Sequence, residues 1–183
     1  LDGHANQISA RTVLTVRLAS SSDTVQLLGL NITGGYAPAC GNVNCAAGGG
    51  ITVDGGTVTI SACQIHGNVA HQGGYGAGGV FVASGQVTLQ SCEVYNHVAD
   101  YAGGVSVTGG TVSLIKCNIF ANHVSEGAAG VSIGAGHVSF QSCLIHGNTA
   151  LFHAGISMYG SGTVTLNNSK IYGNVPLPYI DMP

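Results

Sequence analysis

The chain has 183 residues, the size of one domain or of one run of a repeat array. Its four Lys and Arg and seven Asp and Glu give a formal net charge of −3, so the sequence offers no basic surface for nucleic acid. The 45% of hydrophobic residues argues against a disordered polymer, and no apolar run reaches the length of a membrane span.

The chain is built from repeated segments that span residues 22–175 and follow a less regular first coil at 1–21. A degenerate copy, SDTVQLLGLNITGG, starts at Ser22, and clear copies such as GGVSVTGGTVSLIKCNIFANHVS from Gly103 follow it. A glycine precedes five of the copies at intervals of 25 to 29 residues, at Gly50, Gly79, Gly104, Gly130 and Gly155. A fixed period of this length predicts a solenoid.

Each copy contains three short runs in which apolar and polar residues alternate. Val58 and Ile60, for example, are separated by Thr59, and no helical period is sustained. The sequence therefore predicts an all-β chain, a single right-handed parallel β-helix domain over 1–183, with about six coils of roughly 25–29 residues and three strands per coil. Stacked coils lie about 4.8 Å apart.

Stacking places equivalent residues in columns, three of which are apolar and predicted to form the core. The first column reads Val25, Val58, Val87, Val112, Val138, Val164, the second Leu27, Ile60, Leu89, Leu114, Phe140, Leu166, and the third Ile32, Ile65, Val94, Ile119, Ile145, Ile171. Two further columns are expected to be structural. One is an asparagine ladder at a turn (Asn68, Asn96, Asn122, Asn148, Asn174), and the other is a set of inward cysteines, thiols or disulfides (Cys63, Cys92, Cys117, Cys143).

A polar insertion at 36–47 carries two more cysteines, Cys40 and Cys45. A loop disulfide between them is the favoured interpretation, and it would place the protein outside the cell, at the cell surface or in an oxidising lumen. A zinc site formed by Cys40, Cys45, His66 and His71 is the weaker alternative. We otherwise expect no cofactor. The chain ends in a Pro-rich segment, 176–183, which is expected to stop further stacking.

Two outward faces are candidate surfaces. One face carries rings at His66, Tyr95, Phe120, His146 and Tyr172, which can bind a protein or a glycan or simply stabilise the sheet. The other face carries hydroxyls, and such arrays resemble ice-binding surfaces. Its residues are Thr57, Thr59, Gln86, Thr88, Thr111, Ser113, His137, Ser139, Thr163 and Thr165.

The GG-x-[IV] … N-x-A repeats resemble the right-handed parallel β-helix families of the pectin-lyase-like superfold. They are especially similar to the passenger repeats of polymorphic outer-membrane and autotransporter proteins. This resemblance implies the fold, but such repeats carry lyases, epimerases, adhesins and inert stalks alike. A polysaccharide-active enzyme would need clustered acids. The acids of this chain share no column, and Glu93 and Asp100 are the nearest candidates.

We therefore expect a non-catalytic β-helix that presents side-chain ladders to a protein or glycan partner. A peripheral structural subunit of a larger assembly, either associated with a membrane or not, is the first alternative, because so little charged surface is available to keep a free particle soluble. A polysaccharide-active enzyme and an ice-binding protein are the others. Nucleic acid and a membrane span are not expected.

Overall fold

A computed structural model describes residues 12–37, 47–71 and 76–177. These residues form strands and turns without a helix. The first strands are β1 (Leu14–Arg17), β2 (Thr24–Leu28), β3 (Asn31–Ile32), β4 (Tyr36–Ala37), β5 (Ile51–Ser61), β6 (Gln64–His66), β7 (Val69–Ala70), β8 (Val80–Gln90), β9 (Glu93–Tyr95), β10 (Val98–Ala99) and β11 (Val105–Val107). They are followed by β12 (Thr111–Ile115), β13 (Asn118–Phe120), β14 (His123–Val124), β15 (Val131–Ile133), β16 (Gly136–Gln141), β17 (Leu144–His146), β18 (Thr149–Ala150), β19 (Ile156–Met158), β20 (Gly162–Asn167), β21 (Lys170–Tyr172) and β22 (Val175–Pro176).

The strands form three parallel sheets that wrap one solenoid of about five turns, close to the six coils expected from the sequence. The long sheet contains β1, β2, β5, β8, β11, β12, β15, β16, β19 and β20. The ring sheet contains β3, β6, β9, β13, β17 and β21, and the short sheet contains β4, β7, β10, β14, β18 and β22. Each strand pairs with its counterpart one coil away, which confirms the predicted parallel β-helix.

The strand register confirms the three apolar columns. Val112 pairs with Val87 and Val138, and Ile119 pairs with Val94 and Ile145. Away from the first and last coils these residues are fully buried and form one continuous core cluster. Burial of apolar surface at about 25 cal/mol per Å² is therefore the main source of the solenoid's stability.

The four inward cysteines are buried, free thiols that line the same core. Each thiol donates a hydrogen bond to a carbonyl of the preceding coil, as Cys92 does to Ile60 at 3.3 Å and Cys117 does to Leu89 at 3.3 Å. Burial raises the pKa of the Cys63 thiol, and hydrogen bonds with its neighbours raise the pKa of the Cys117 thiol. Both shifts favour the protonated, unreactive form.

The regular coil starts earlier in the chain than the sequence pattern suggests. Leu14–Arg17 pairs in register with Ile51–Asp54, so part of the segment predicted to be irregular already belongs to the long sheet. At the insertion, Tyr36–Ala37 still pairs with Val69–Ala70. Cys40 and Cys45, and with them the predicted disulfide, lie outside the described residues.

The glycine that precedes each copy lies at a corner where consecutive coils approach closely. A Cβ atom on Gly104 would lie 2.6 Å from the carbonyl oxygen of Gly130 and 2.8 Å from Cγ2 of Ile119. Gly50 and Gly79 face equivalent contacts with the next coil. The glycine repeat therefore follows from the coil spacing, because any side chain here would push the coils apart.

We predict that Gly104→Ala lowers the free energy of unfolding by at least about 2 kcal/mol, because the corner must shift to admit a methyl group. Gly147→Ala is the matched control. Gly147 has a φ of 60°, but it faces open space, and Ala121 already holds the same conformation one coil away with a φ of 52°. Gly147→Ala should lower the free energy of unfolding by only about 1 kcal/mol, which is the cost of placing a residue with a Cβ atom in the left-handed conformation. Urea unfolding measures both, and equal losses would contradict the close-packed corner.

Candidate functional site

The predicted rings form one stacked column on the ring sheet, here called the ring stripe (His66, Tyr95, Phe120, His146 and Tyr172). Strand alternation turns these residues outward, and the register places each one beside the next. Neighbouring ring centroids lie 4.9, 4.9, 5.4 and 4.9 Å apart, with interplanar angles of 7° to 14°. The structure therefore confirms that the five side chains share one face.

The rings of the stripe use their faces to stack on one another, so the outer edges are what solvent meets. The first four rings are half-buried, whereas Tyr172 at the end of the column is exposed. Two of the rings are fixed by hydrogen bonds to the preceding coil, His66 to Asn31 at 2.8 Å and His146 to Asn118 at 3.0 Å. The stripe is thus a straight, rigid strip of ring edges that crosses five coils.

The column beside the ring stripe is mixed in character. Its residues are Gln64, Glu93, Asn118, Leu144 and Lys170, and the amide of Gln64 donates a hydrogen bond to Glu93 at 3.1 Å. The ring edges and Leu144 supply apolar contact area beside groups that can hydrogen-bond, which suits contact with another macromolecule.

The asparagine ladder exists, but one of its predicted members is wrong. Asn68, Asn122 and Asn148 are buried, and Asn174 follows them in the last coil. Asn122 shows the pattern of bonds: its Nδ2 donates to the carbonyl of Val94 at 3.2 Å, and its Oδ1 accepts from the backbone N–H of His97 at 3.2 Å. Asn96 is not part of the ladder. It takes the preceding left-handed position, with a φ of 54°, where the other coils have Gly67, Ala121, Gly147 and Gly173.

His97 fills the place in the ladder that the sequence pattern assigned to Asn96. Its side chain is fully buried. Nδ1 accepts from the backbone N–H of Asn68 at 3.1 Å, and Nε2 lies 3.0 Å from the carbonyl of Ile65. These partners select the neutral tautomer with the proton on Nε2, which reproduces the donor and acceptor of an asparagine amide. The strand register pairs His123 with Val98, so His97 and His123 occupy different columns although both follow an asparagine.

The other predicted site residues are not gathered into one centre. His66 lies on the ring sheet and His71 follows the short sheet, where its Nδ1 is 3.6 Å from the carboxylate of Asp100. The cysteines of the zinc alternative lie outside the described residues, and the described residues contain no group of three or more potential metal ligands. Glu93 and Asp100 are likewise apart: Glu93 is in β9 of the ring sheet, and Asp100 directly follows β10 of the short sheet.

The hydroxyl face has the predicted register but an uneven surface. Thr111 pairs with Gln86 and His137, and Ser113 pairs with Thr88 and Ser139. Ser139 donates a hydrogen bond to Ser113 at 3.2 Å, and His137 bonds the hydroxyl of Thr163 at 2.7 Å. Hydroxyls that bond within the sheet are less available to a regular external lattice.

A pocket that the sequence did not reveal lies near the C-terminal coils, between the loops and the long sheet. It has a volume of about 320 Å³ and is here called the aromatic pocket, with Tyr101, Glu126, Ser132, Phe152, Ser157 and Tyr159 in its lining. No motif marks it, because its lining residues come from three coils and its space depends on small side chains. A column of consecutive small residues, Ser106, Ser132 and Ser157, was the only available signal.

A family model described as right-handed β-helix region matches residues 78–177, more than half of the chain. No curated protein and no solved structure gave a significant match. The resemblance to polymorphic outer-membrane and autotransporter passenger repeats stays a prediction. The described part of the chain has no helix with the length and apolar character needed to cross a membrane.

We predict that the stability of the coil stack depends on pH through His97. Burial lowers the pKa of His97 from 6.5 to about 4. Above pH 6.5 the side chain is neutral in the folded and the unfolded chain. As the pH falls from about 6.5 to about 4, only the unfolded chain gains a proton, so the free energy of unfolding falls by about 3 kcal/mol in total.

His97→Asn is the decisive variant, because asparagine restores the ladder found in the other coils without a titratable group. His97→Asn should stay folded. Between pH 6.5 and 4 its free energy of unfolding should fall less steeply with decreasing pH than that of the natural chain, because the contribution of His97 is gone. Chemical denaturation at several pH values measures both chains. The same slope in both chains would contradict the role assigned to His97.

Proposed function

The chain belongs to the right-handed β-helix family, and on that premise we propose that it is a non-catalytic binding module whose ring stripe contacts a protein partner. The observation that carries the proposal is the register of the five stacked rings, held at 4.9 to 5.4 Å over five coils. A pre-ordered aromatic surface loses little side-chain entropy when it is covered, and aromatic residues are enriched at protein interfaces.

The ring geometry favours a protein over a glycan. A sugar stacks on an exposed aromatic face, but in the ring stripe most faces are already covered by the neighbouring ring. Only the edges of these rings are accessible to a partner. A ring edge carries the positive end of the ring quadrupole, so it interacts well with carbonyl oxygens and with the faces of other aromatic rings. A protein surface supplies both groups over a strip of this length.

The environment of the acidic side chains supports a non-catalytic role. Asp54 lies 3.6 Å from Arg17 and accepts a hydrogen bond from Ser84, and Asp100 accepts one from Ser125. Glu93 accepts one from Gln64. Hydrolysis or elimination on a polysaccharide needs acids that converge on one bond, whereas these acids are spread over different faces.

A second candidate function, a subunit of a larger assembly, rests on the last described coil. Leu166 and Ile171 continue two core columns there, yet they are 46% and 47% exposed, whereas Phe140 and Ile145 one coil earlier are buried. Apolar side chains exposed in this way form a surface on which another chain can pack. The location outside the cell or in an oxidising lumen is also a proposal, and it depends on Cys40 and Cys45.

We predict that Tyr95→Ala combined with Phe120→Ala weakens binding to the partner at least tenfold while the coils stay folded, because two central anchors are lost. A photocrosslinking amino acid at position 120 identifies the partner, and titration of the purified partner gives the Kd. The matched control is Thr111→Ala with Ser113→Ala, on the hydroxyl face. Equal affinity of both double variants for the crosslinked partner would refute a contact through the ring stripe.

For the second candidate, we predict that the mass of the purified chain rises with concentration, as exposed core columns of two molecules cover one another. Light scattering over a concentration series measures the mass. Leu166→Lys with Ile171→Lys should restore a monomer of 18.3 kDa, and Tyr172→Ala serves as a control on the neighbouring surface. A constant monomer mass for the natural chain would argue against this assembly.

A further inference from the structure

The aromatic pocket is one end of a groove between two columns of residues. One wall is the bridge column Ala77, Ala102, Ala128 and His153, which links the loops of successive coils. The other wall is the outward column of the long sheet, Thr52, Phe81, Ser106, Ser132 and Ser157. Each wall continues from coil to coil, because its residues stack in register.

The chain itself shows what fits between these walls. Phe81 occupies the groove in the earlier coils, where it is only 3% exposed and packs against Ala77, Ala83 and Ala102. Two coils later the same column holds Ser132 beside Ala128, and the space becomes the aromatic pocket. The pocket is therefore shaped for a planar six-membered ring like that of Phe81, supplied from outside.

The loops provide two aromatic walls for such a ring. Tyr101 and Phe152 line the pocket from coils on either side of the coil that contains Gly127. Two coil steps amount to about 9.6 Å, twice the spacing at which rings stack in the ring stripe. This interval accepts one more ring. Phe152 is 60% exposed, so part of its surface is open to a ligand.

The third ring of the pocket is provided by Tyr159. A Cβ atom on Gly134 would lie 2.8 Å from the hydroxyl oxygen of Tyr159, so the ring lies over that glycine and borders the pocket. At about 320 Å³ the cavity is at the small end of the usual range for small-molecule sites, about 300–1,000 Å³. It suits a single ring with a short substituent.

The charged side chains at the rim of the aromatic pocket determine which substituent a bound ring can carry favourably. Glu126 is the acid in the lining of the pocket. The carboxylate of Asp100 on the neighbouring coil lies instead against Ser125 and His71. The described residues include three Lys and Arg side chains, and none of them lines the pocket. The basic group in the lining is the imidazole of His153, whose ring centroid lies 6.5 Å from that of Phe152. A cation beside aromatic rings and a carboxylate is stabilised by cation–π attraction and by the opposite charge.

We propose that the aromatic pocket binds a small monocyclic aromatic compound that carries a protonated amine. The ring lies between Tyr101 and Phe152, over Ser132, and the ammonium group faces Glu126. This site shares no residue with the ring stripe, so it stands independently of the protein contact proposed above.

The test is a calorimetric titration with three probes that differ only near the charged end: 2-phenylethylammonium, 2-phenylethanol and 3-phenylpropanoate. We expect the ammonium probe to bind about fivefold more tightly than the alcohol, and the carboxylate probe to bind most weakly. Equal affinity for all three probes, or preference for the carboxylate, would overturn the assignment of the cation.

Variants then locate the site. Ser132→Phe places a phenylalanine side chain in the pocket, as Phe81 does in an earlier coil, and should abolish binding of the probe. Phe152→Ala removes an exposed ring and should weaken binding about tenfold even if Ser132→Phe fails to fold. Glu126→Gln should remove the preference for the ammonium probe. Val98→Ala, which changes an exposed apolar side chain on the short sheet, should leave the affinity unchanged. Unaltered binding by folded Phe152→Ala and Glu126→Gln would overturn the proposal.

Discussion

The in-register stacking of parallel coils is the constraint on which the rest of this structure depends. A step of about 4.8 Å between coils requires that each residue face its own counterpart, so every property of one coil is repeated along the axis. The close approach at Gly104 and Gly130 sets that step at one corner, and the buried amides of Asn122 and Asn148 satisfy the backbone at another. Rings, thiols and hydroxyls are aligned as a result.

Much of the fold could be predicted from the sequence, because an alternating pattern with a fixed period defines both the face and the partner of a residue. Val112 and Ile119 were assigned to their columns from spacing alone, and the structure places them there. The ring stripe followed from the same logic. Equivalent residues of successive coils stack directly on one another in a parallel solenoid, so the repeat period alone fixes which residues are neighbours.

The sequence assigned Asn96 to the asparagine ladder incorrectly. Aligning the two identical Asn-His-Val strings gives a different match between coils from the one that the strand register shows. The string Asn-His-Val occurs twice, at Asn96 and at Asn122, but the two copies are offset by one residue in the stack. Only the spacing from Cys92 to the turn distinguishes them. Histidine can replace asparagine here because its neutral ring offers one donor and one acceptor in nearly the same places.

The aromatic pocket was missed for a different reason. Sequence patterns report what is present, whereas this pocket exists because Ser132 lacks the bulk that Phe81 supplies in the same column of an earlier coil. The two candidate surfaces also differ in kind. The rings of the ring stripe cover one another's faces and present their edges, whereas the pocket is a concave space lined by rings and small side chains. A long contact suits the first and a small molecule suits the second.

The single histidine in the asparagine ladder has a consequence for how the solenoid fails. In a linear array each coil is held only by its two neighbours, so the weakest junction determines where the array divides. His97 bonds directly to Asn68 and Ile65 of the preceding coil, which makes that junction the one that acid weakens. Acidification therefore weakens the contact between the coil of Asn68 and the coil of His97, and it does so inside the stack and not at one of its ends.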